Sequence, residues 1–377
     1  MTKVRFVGLD VHAETIAVAV AEPGGEVRSL GVIPNRAESL RKLVRKLGPP
    51  TELRACYEAG PTGYVTYWQL AELGVKCEVV APSLVPRMAG DRVKTDRRDA
   101  LKLARCYRAG DLTAVWVPDA AHEALRDLVR ARGASKKDQL RARHRLSKFL
   151  LRQGRRPPEG VKAWTQKYMA WVKSDVHFEQ PAQEATLLDY LGEVEHAAAR
   201  VERLDQAIDK VVVLAPFAMK AVIEALQALR GIAKVSAVTI ACEVGDFSRF
   251  EKATELMAYA GVVAREHSSG ERTWHGGITK TGNANLRHVV IEAGWAYQHR
   301  PTVGGALKKR QAALPEDVKE IAWKAQHRLY GRYHALTGRG KSKAQAVTAV
   351  GRELIGFIWA IGTQAEKQAR EQGRLAA

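Results

Sequence analysis

Cysteine is scarce in this chain: Cys56, Cys77, Cys106 and Cys242 are scattered through 377 residues with no paired spacing. That pattern excludes a zinc ribbon and points to a reduced, cytoplasmic compartment. No apolar run is long enough to span a bilayer. The amino-terminal residues enter a strand without a signal-peptide core, so no membrane partner is expected. A Gly-rich phosphate loop is also missing, which leaves unsupported the sugar-kinase-like ATPase that an opening Gly-x-Asp would allow. Acidic residues are outnumbered, 41 Asp+Glu against 60 Lys+Arg, and the formal charge of +19 favours a polyanionic partner.

What is present is a folded chain, 46% hydrophobic and too long for one ordinary core, so two or three domains are expected. Val4–Asp10, Thr15–Ala21 and Val27–Ile33 are rich in Val and Ile and read as three short strands, the last two joined by the turn Pro23-Gly24-Gly25. Asn35 is positioned to cap a helix reaching about Leu47, and Gly48-Pro49-Pro50 stops it. Strand Leu53–Glu58, helix Tyr64–Leu73, strand Val75–Val80 and helix Asp96–Ala109 follow. An antiparallel trio followed by strand–helix alternation is the element order of an RNase H-like α/β fold, in which the first and fourth strands are neighbours.

That order gives four carboxylates a shared meaning. Asp10 ends an apolar strand, where a charge is costly unless it is paired, hydrogen-bonded or bound to a cation. Glu58 closes the neighbouring strand, and Asp96 and Asp99 open a helix three residues apart on one face. Hard oxygen ligands of this kind suit Mg²⁺, which can stabilise charge on a phosphodiester undergoing displacement. Each residue has a plainer reading as well. Asp96 and Asp99 suit the positive end of a helix dipole without any metal, and Glu58 before Ala59-Gly60-Pro61 suits a solvated strand end.

From Arg126 to Arg156 there are 12 Lys or Arg against Asp127 and Asp138, more charge than solubility requires. The segment predicts phosphate contacts through Arg130, Lys136, Lys137, Arg141, Arg145 and Lys148, which would supply affinity and salt dependence rather than sequence reading. Trp164, Tyr168 and Trp171 fall at i, i+4 and i+7 and read as a core stripe. Tyr190, Val194, Ala197, Val201, Leu204, Ile208 and Val211 alternate at spacings of 4 and 3. This seam serves either self-association or a hairpin with the basic helix.

Near the carboxyl end, Leu229-Arg230-Gly231-Ile232-Ala233 weakly suggests a helix-hairpin-helix, with Ala233 where a second Gly is usual. Ser268-Ser269-Gly270 reads as a turn in a loop dense in donors suited to a phosphate, among them Arg272, Lys280 and Arg287. The domains expected are 1–118, a basic and coiled-coil region 119–216, a helical domain 217–363 and a polar tail 364–377.

Three stretches, Gly8-Leu9-Asp10-Val11-His12, Tyr57-Glu58-Ala59-Gly60-Pro61-Thr62-Gly63-Tyr64 and Lys94-Thr95-Asp96-Arg97-Arg98-Asp99-Ala100, strongly resemble the DEDD transposases of bacterial insertion sequences of the insertion-sequence 110 type. Gly276-Gly277-Ile278-Thr279-Lys280-Thr281-Gly282-Asn283-Ala284-Asn285-Leu286-Arg287 extends the resemblance into the second half. Ala13, Thr279 and Thr281 depart from the commoner Lys, Ser and Arg. The resemblance implies a RuvC-like first domain with Asp10, Glu58, Asp96 and Asp99 on Mg²⁺. It implies a helical transposase domain with Ser269 as nucleophile, Ser268 being one residue away, and a structured guide RNA that pairs with donor and target DNA. A homo-oligomer is implied too. The alternatives are a RuvC-like endonuclease using water and a non-catalytic nucleic-acid scaffold.

Overall fold

The computed structural model describes residues 4–86, 95–269 and 272–375. Lys94 and Gly270, which belong to the stretches quoted above, lie outside the described residues. The chain forms two compact units, divided between Val117 and Pro118.

The first unit is a mixed α/β sheet layered with helices. Its elements are β1 (Arg5–Val11), β2 (Thr15–Ala21), β3 (Val27–Pro34), α1 (Ala37–Leu47), β4 (Leu53–Glu58), α2 (Val65–Glu72), β5 (Lys76–Val80) and α3 (Asp96–Ala109). The strand order is β3-β2-β1-β4-β5. β1, β2 and β3 pair antiparallel, whereas β1 with β4 and β4 with β5 pair parallel. β1 and β4 are therefore neighbours, as the element order predicts. Alternation along the strands separates two faces. Val7, Leu9, Ile16, Val18 and Val20 bury into one core with Leu40, Leu43 and Leu70 of α1 and α2. Ala17, Ala19 and Ala21 bury against Ala100 and Ala104 of α3 on the other.

The small residues on the second face let α3 lie unusually close to the sheet. Gly8 is the contact point: a Cβ there would stand 2.4 Å from the Ala100 carbonyl oxygen and 2.4 Å from the Ala104 nitrogen. Both are backbone atoms of α3, which cannot rotate away as a side chain could. Gly8→Ala is therefore expected to push α3 off β1 and destabilise the first unit by ~1–3 kcal/mol, the usual range for overpacking. A chemical-denaturation series on the full chain measures it; an unchanged midpoint would show that the helix shifts without cost.

Helix α1 begins one residue later than an Asn35 cap requires. Arg36 holds the cap position without a side-chain bond. Asn35 is used elsewhere, its Nδ2 donating to the His12 carbonyl at 2.8 Å.

The second unit is helical except for one hairpin. It contains α4 (Ala120–Arg152), α5 (Gln166–Ser174), α6 (Pro181–Val212), α7 (Phe217–Leu226), α8 (Lys234–Val244) and α9 (Ala253–Tyr259). β6 (Ala264–Ser269), β7 (Arg272–Ile278), α10 (Ala284–Gly294), α11 (Gly305–Gln311), α12 (Glu316–Gly338) and α13 (Lys343–Leu375) complete it. The region 119–216 does not stand apart as a domain. Leu125, Val129 and Ile208, at one end of the α4–α6 pair, join the core built by α7, α8, α10, α12 and α13. The other end has its own core, where Leu146, Phe149 and Leu150 meet Leu187, Leu191 and Val194.

That pairing decides between the two uses of the heptad seam. Val194, Ala197, Val201 and Ile208 are buried inside a single chain, α6 packing along α4 as a helical hairpin. These four positions face α4, while Val211 at the end of the seam is exposed, so the structure uses the buried part of the seam for the intramolecular hairpin. The aromatic stripe is core in part: Tyr168 is buried with Trp164 and Trp171 against it. Trp164, however, precedes the helix in a left-handed conformation, with φ 66°.

The end of the chain is not a polar tail. α13 runs unbroken to Leu375, and Ala365, Glu366 and Ala369 are buried. Glu366 accepts from the backbone nitrogens of Phe247 and Ser248, at 2.8 and 3.1 Å, and so closes the turn after α8. Burial, reinforced by neighbouring Asp246, pushes its carboxyl up to about 7. By length and composition, Lys343–Gly373 would suffice to cross a membrane, mean hydropathy 1.2, although no single apolar run in the sequence does. Val347, Val350, Leu354, Ile355, Ile358 and Ile361 are consumed by the core of the second unit, the place of a core helix.

Candidate active site

Period-2 alternation places Gly8 and Asp10 on the α3 face of β1. The parallel register pairs Gly8 with Cys56 and Leu9 with Tyr57, so Glu58 is next to Asp10 one step on. Cys56 faces α3, its thiol directed at the Leu103 carbonyl, and Glu58, two residues later, shares that side. Ala59 donates its backbone nitrogen to the Val80 oxygen at 2.8 Å and holds the end of β4 in the sheet. The carboxyl ends of β1 and β4 thus carry two adjacent acids.

Helix α3 brings the other two to the same sheet face. Thr95 caps it, its hydroxyl accepting from the Arg98 nitrogen, and Asp96 and Asp99 occupy the first turn. Asp10, His12 and Asp96 present ligating atoms that all lie within 4.8 Å of one another. His12 Nε2 is 3.3 Å from the Asp10 carboxylate and 3.6 Å from that of Asp96. Glu58 and Asp99 are not in that trio, although Asp99 is close enough to act on Asp10. Burial raises the Asp10 carboxyl above its ordinary value. His12 pulls it back, and the charges of Asp99 and Asp96 raise it further.

His12 was not among the residues singled out from the sequence. The available signal was its spacing, two residues after Asp10 in an extended segment, which returns a side chain to the same face. Its place is fixed by two backbone hydrogen bonds, its nitrogen to the Thr15 oxygen at 2.8 Å and its carbonyl to Asn35. The donor set of carboxylates with one imidazole fits a divalent cation.

In the second unit Ser268 and Ser269 lie in strand β6, not in a loop. Ser269 pairs in register with Arg272, the last pair of the β6–β7 hairpin before its connection, and both are exposed. The Ser268 hydroxyl donates to the Glu266 carboxylate at 2.7 Å. The stretch after β7 is an anchor. Asn283 caps α10 through the Leu286 nitrogen at 2.9 Å and donates to the Glu243 carboxylate at 2.8 Å. Asn285 reaches the same carboxylate at 3.0 Å. Arg287 donates to the Ala260 carbonyl at 2.9 Å. Gly231, with φ +82°, marks a close approach rather than an open phosphate turn: a Cβ there would meet the Ala293 oxygen at 2.6 Å.

Glu243, wholly buried, is the centre that sequence reasoning missed. Arg130 grips it with two bonds of 2.8 Å, and Arg126 lies 3.8 Å away. Burial works to raise its carboxyl, but the Arg130 and Asn283 hydrogen bonds and the Arg130 and Arg126 charges outweigh that and hold it below the ordinary range. Arg130 and Arg287 each direct donors to acceptors within the protein, Arg130 to Glu243 and Arg287 to the Ala260 carbonyl. Arg141 pairs with Asp138, and Lys136 donates to Gln139 at 2.8 Å. Lys137, Arg145 and Lys148 stay exposed on α4, as does Lys280 after β7.

Two family models match. A DEDD transposase model covers residues 7–153. A second, described as Transposase IS116/IS110/IS902 family, covers residues 223–306. The y4qE protein of Sinorhizobium fredii, named as a transposase, is 45% identical over 365 residues, 96% of this chain and 89% of the relative. The transposase for insertion sequence element IS1533 of Leptospira borgpetersenii is 30% identical over 345 residues, 90% of this chain and 99% of the relative. A mixed-sheet unit with an acidic cluster, joined to a helical unit and matched at this length, defines a transposase, an enzyme of the DNA-cutting recombinase class. The chain belongs to the IS110 family of insertion-sequence DEDD transposases.

Proposed function

We propose that this transposase cleaves and rejoins DNA strands through a serine nucleophile, assisted by a divalent cation at the acidic site. The observation that carries the reading is the convergence of Asp10, His12 and Asp96, from two elements far apart in sequence, within 4.8 Å. The sheet order β3-β2-β1-β4-β5, with its antiparallel trio and two parallel partners, supports an RNase H/RuvC-like first unit, where strand ends carry such acids.

Asp10 and Asp96 would hold the ion, with Glu58 and Asp99 completing the acidic surroundings; Mg²⁺ matches the oxygen donors. When bound, it supplies Lewis-acid stabilisation to charge building on the phosphate oxygens. His12, 3.3 Å from one carboxylate and 3.6 Å from the other, orients them. Ser269 Oγ attacks phosphorus, the bond to the departing sugar oxygen breaks, and a phosphoserine ester holds the strand. The displaced sugar oxygen takes the bonding electron pair and a proton. Attack by a hydroxyl of the partner strand reverses these changes and frees the serine. The exposed Lys137, Arg145 and Lys148 of α4 supply phosphate contacts for a structured guide RNA pairing with donor and target DNA. Assembly as a homo-oligomer, by a surface other than the buried part of the α4–α6 seam, and a cytoplasmic location complete the reading.

The test is a denaturing gel after incubation with labelled element-end DNA and Mg²⁺. The wild-type chain is expected to leave a protein–DNA adduct that survives denaturation. Ser269→Ala is expected to lose it by at least ~10²-fold, the scale of removing a nucleophile, and Ser268→Ala to keep it. The reverse pattern assigns the attack to Ser268, whose hydroxyl already has the Glu266 carboxylate as acceptor. Free DNA ends without an adduct would identify a water-using nuclease. Binding without any strand breakage would identify a scaffold.

A further inference from the structure

A cleft of about 670 Å³ opens in the second unit between the base of the β6–β7 hairpin and helices α12 and α13. Four cations, Arg265, Lys280, Lys341 and Arg352, line it, and no carboxylate among the described residues does. Among the described residues none of the four is ion-paired. That contrasts with α4, where Arg130, Arg132 and Arg141 are all neutralised by acids. Uncompensated like charges at one cleft repel each other and weaken the fold unless an anion is bound there. Val262, Ile278 and Leu336 add apolar lining. Cations together with apolar lining in one cleft match a sugar–phosphate chain with an unstacked base.

The cleft also has a fixed relation to the proposed nucleophile. Arg265 and Gly276 to Ile278 belong to the same two strands whose far end carries Ser269. From Ala264 to Ser269 is five steps of strand, ~16 Å. A strand seated in the cleft and running along the hairpin reaches the serine within a few nucleotides.

We infer that this cleft seats single-stranded DNA, its phosphates on Arg265, Lys280, Lys341 and Arg352, as the track that delivers a strand toward Ser269. The inference rests on the proposed strand-exchange reading for its choice of ligand. It adds Arg265, Lys341 and Arg352 as binding residues. They come from separate segments, so no local motif in the sequence unites them.

The test is binding of a fluorescent oligo(dT) of roughly 20 nucleotides to the full chain, read by anisotropy across a salt series. Arg265→Ala/Lys341→Ala/Arg352→Ala is expected to raise Kd at least about tenfold and to lower the log–log salt slope by about 2, some 0.7 per cation lost. A charge-matched control, Lys210→Ala/Lys308→Ala/Lys309→Ala, removes exposed lysines of α6 and α11 and is expected to change little. Equal losses in both triples would overturn the cleft as a site, leaving only diffuse attraction to a basic protein. On the wild-type chain, a 5-iodouracil oligonucleotide is expected to cross-link to peptides spanning 262–280 or 341–352, a result independent of whether the triple variant folds. Cross-links confined to other peptides overturn the inference. An oligo(U) RNA that displaces the DNA from those peptides at equal concentration overturns the assignment to DNA. Because binding is read without turnover, absence of a serine adduct leaves this result standing. Cleft-independent binding with an intact adduct removes the cleft alone.

Discussion

Asp10→Asn is expected to reduce DNA strand cleavage on the order of 10²–10³-fold while leaving the chain folded. The magnitude follows from the several kcal/mol of transition-state stabilisation that a bound cation supplies, at a factor of ten for each ~1.4 kcal/mol. Asp10 lies near the carboxyl end of β1. It sits on the sheet face covered by α3, beside Asp96, with His12 touching both carboxylates. Its folded-state carboxyl is raised, chiefly by burial and then by Asp99 and Asp96 against the pull of His12. A raised carboxyl contributes stability that is complete below its ordinary value of 3.8 and lost as pH climbs through the folded value. At neutral pH and without cations, then, Asp10→Asn should be no less stable than the wild type. Adding Mg²⁺ should raise the wild-type melting temperature by mass action and leave the variant unmoved. Calorimetry with and without Mg²⁺, run beside the cleavage assay, checks both. A variant that still gains stability from Mg²⁺ would show that Asp10 is no ligand, whatever its effect on cleavage.

Glu243→Ala is expected to cost ~3–5 kcal/mol in the second unit, the penalty for stranding a buried partner of an ion pair. Glu243 is fully buried and receives Arg130, Asn283 and Asn285 together. Its removal frees the residue that ties α4 to α8 and both asparagines at the start of α10. The β6–β7 hairpin is flanked by these anchors, so adduct formation at Ser269 should fall with the stability. Its carboxyl is held below the ordinary 4.5, which makes its contribution complete above that value and lost as pH falls through the folded value. The gap between wild type and variant should therefore be widest near neutral pH and shrink in acid. Urea unfolding followed through the transition of residues 118–377, at several pH values, measures it. A loss under ~1 kcal/mol at pH 7 would mean that the arginines find other acceptors.

These two residues also mark how far the sequence could be read. Asp10 was legible because a carboxylate ending an apolar strand contradicts its surroundings and demands a reason. The three elements after it supplied that reason through their order alone. Glu243 was illegible. It sits in Ala241-Cys242-Glu243-Val244, where local pattern suggests an ordinary helix position, and its partners lie at Arg130 and Asn283. Nothing in the Gly282-Asn283 stretch announces that Asn283 and Asn285 turn inward to that carboxylate.

Periodicity and element order determined, without coordinates, the strands of the first unit, the neighbouring ends of β1 and β4, and α3 with Asp96 and Asp99 in its first turn. These are local matters, decided by alternation, caps and turn residues within a few positions. Which cations stay free was decided only in three dimensions. So were the inward use of the α6 seam, the extension of α13 to Leu375 and the place of His12 beside two acids. Each depends on what a side chain meets from a distant segment. A charge run or apolar stripe looks the same in sequence whether its partner is solvent, another copy or the chain's own core.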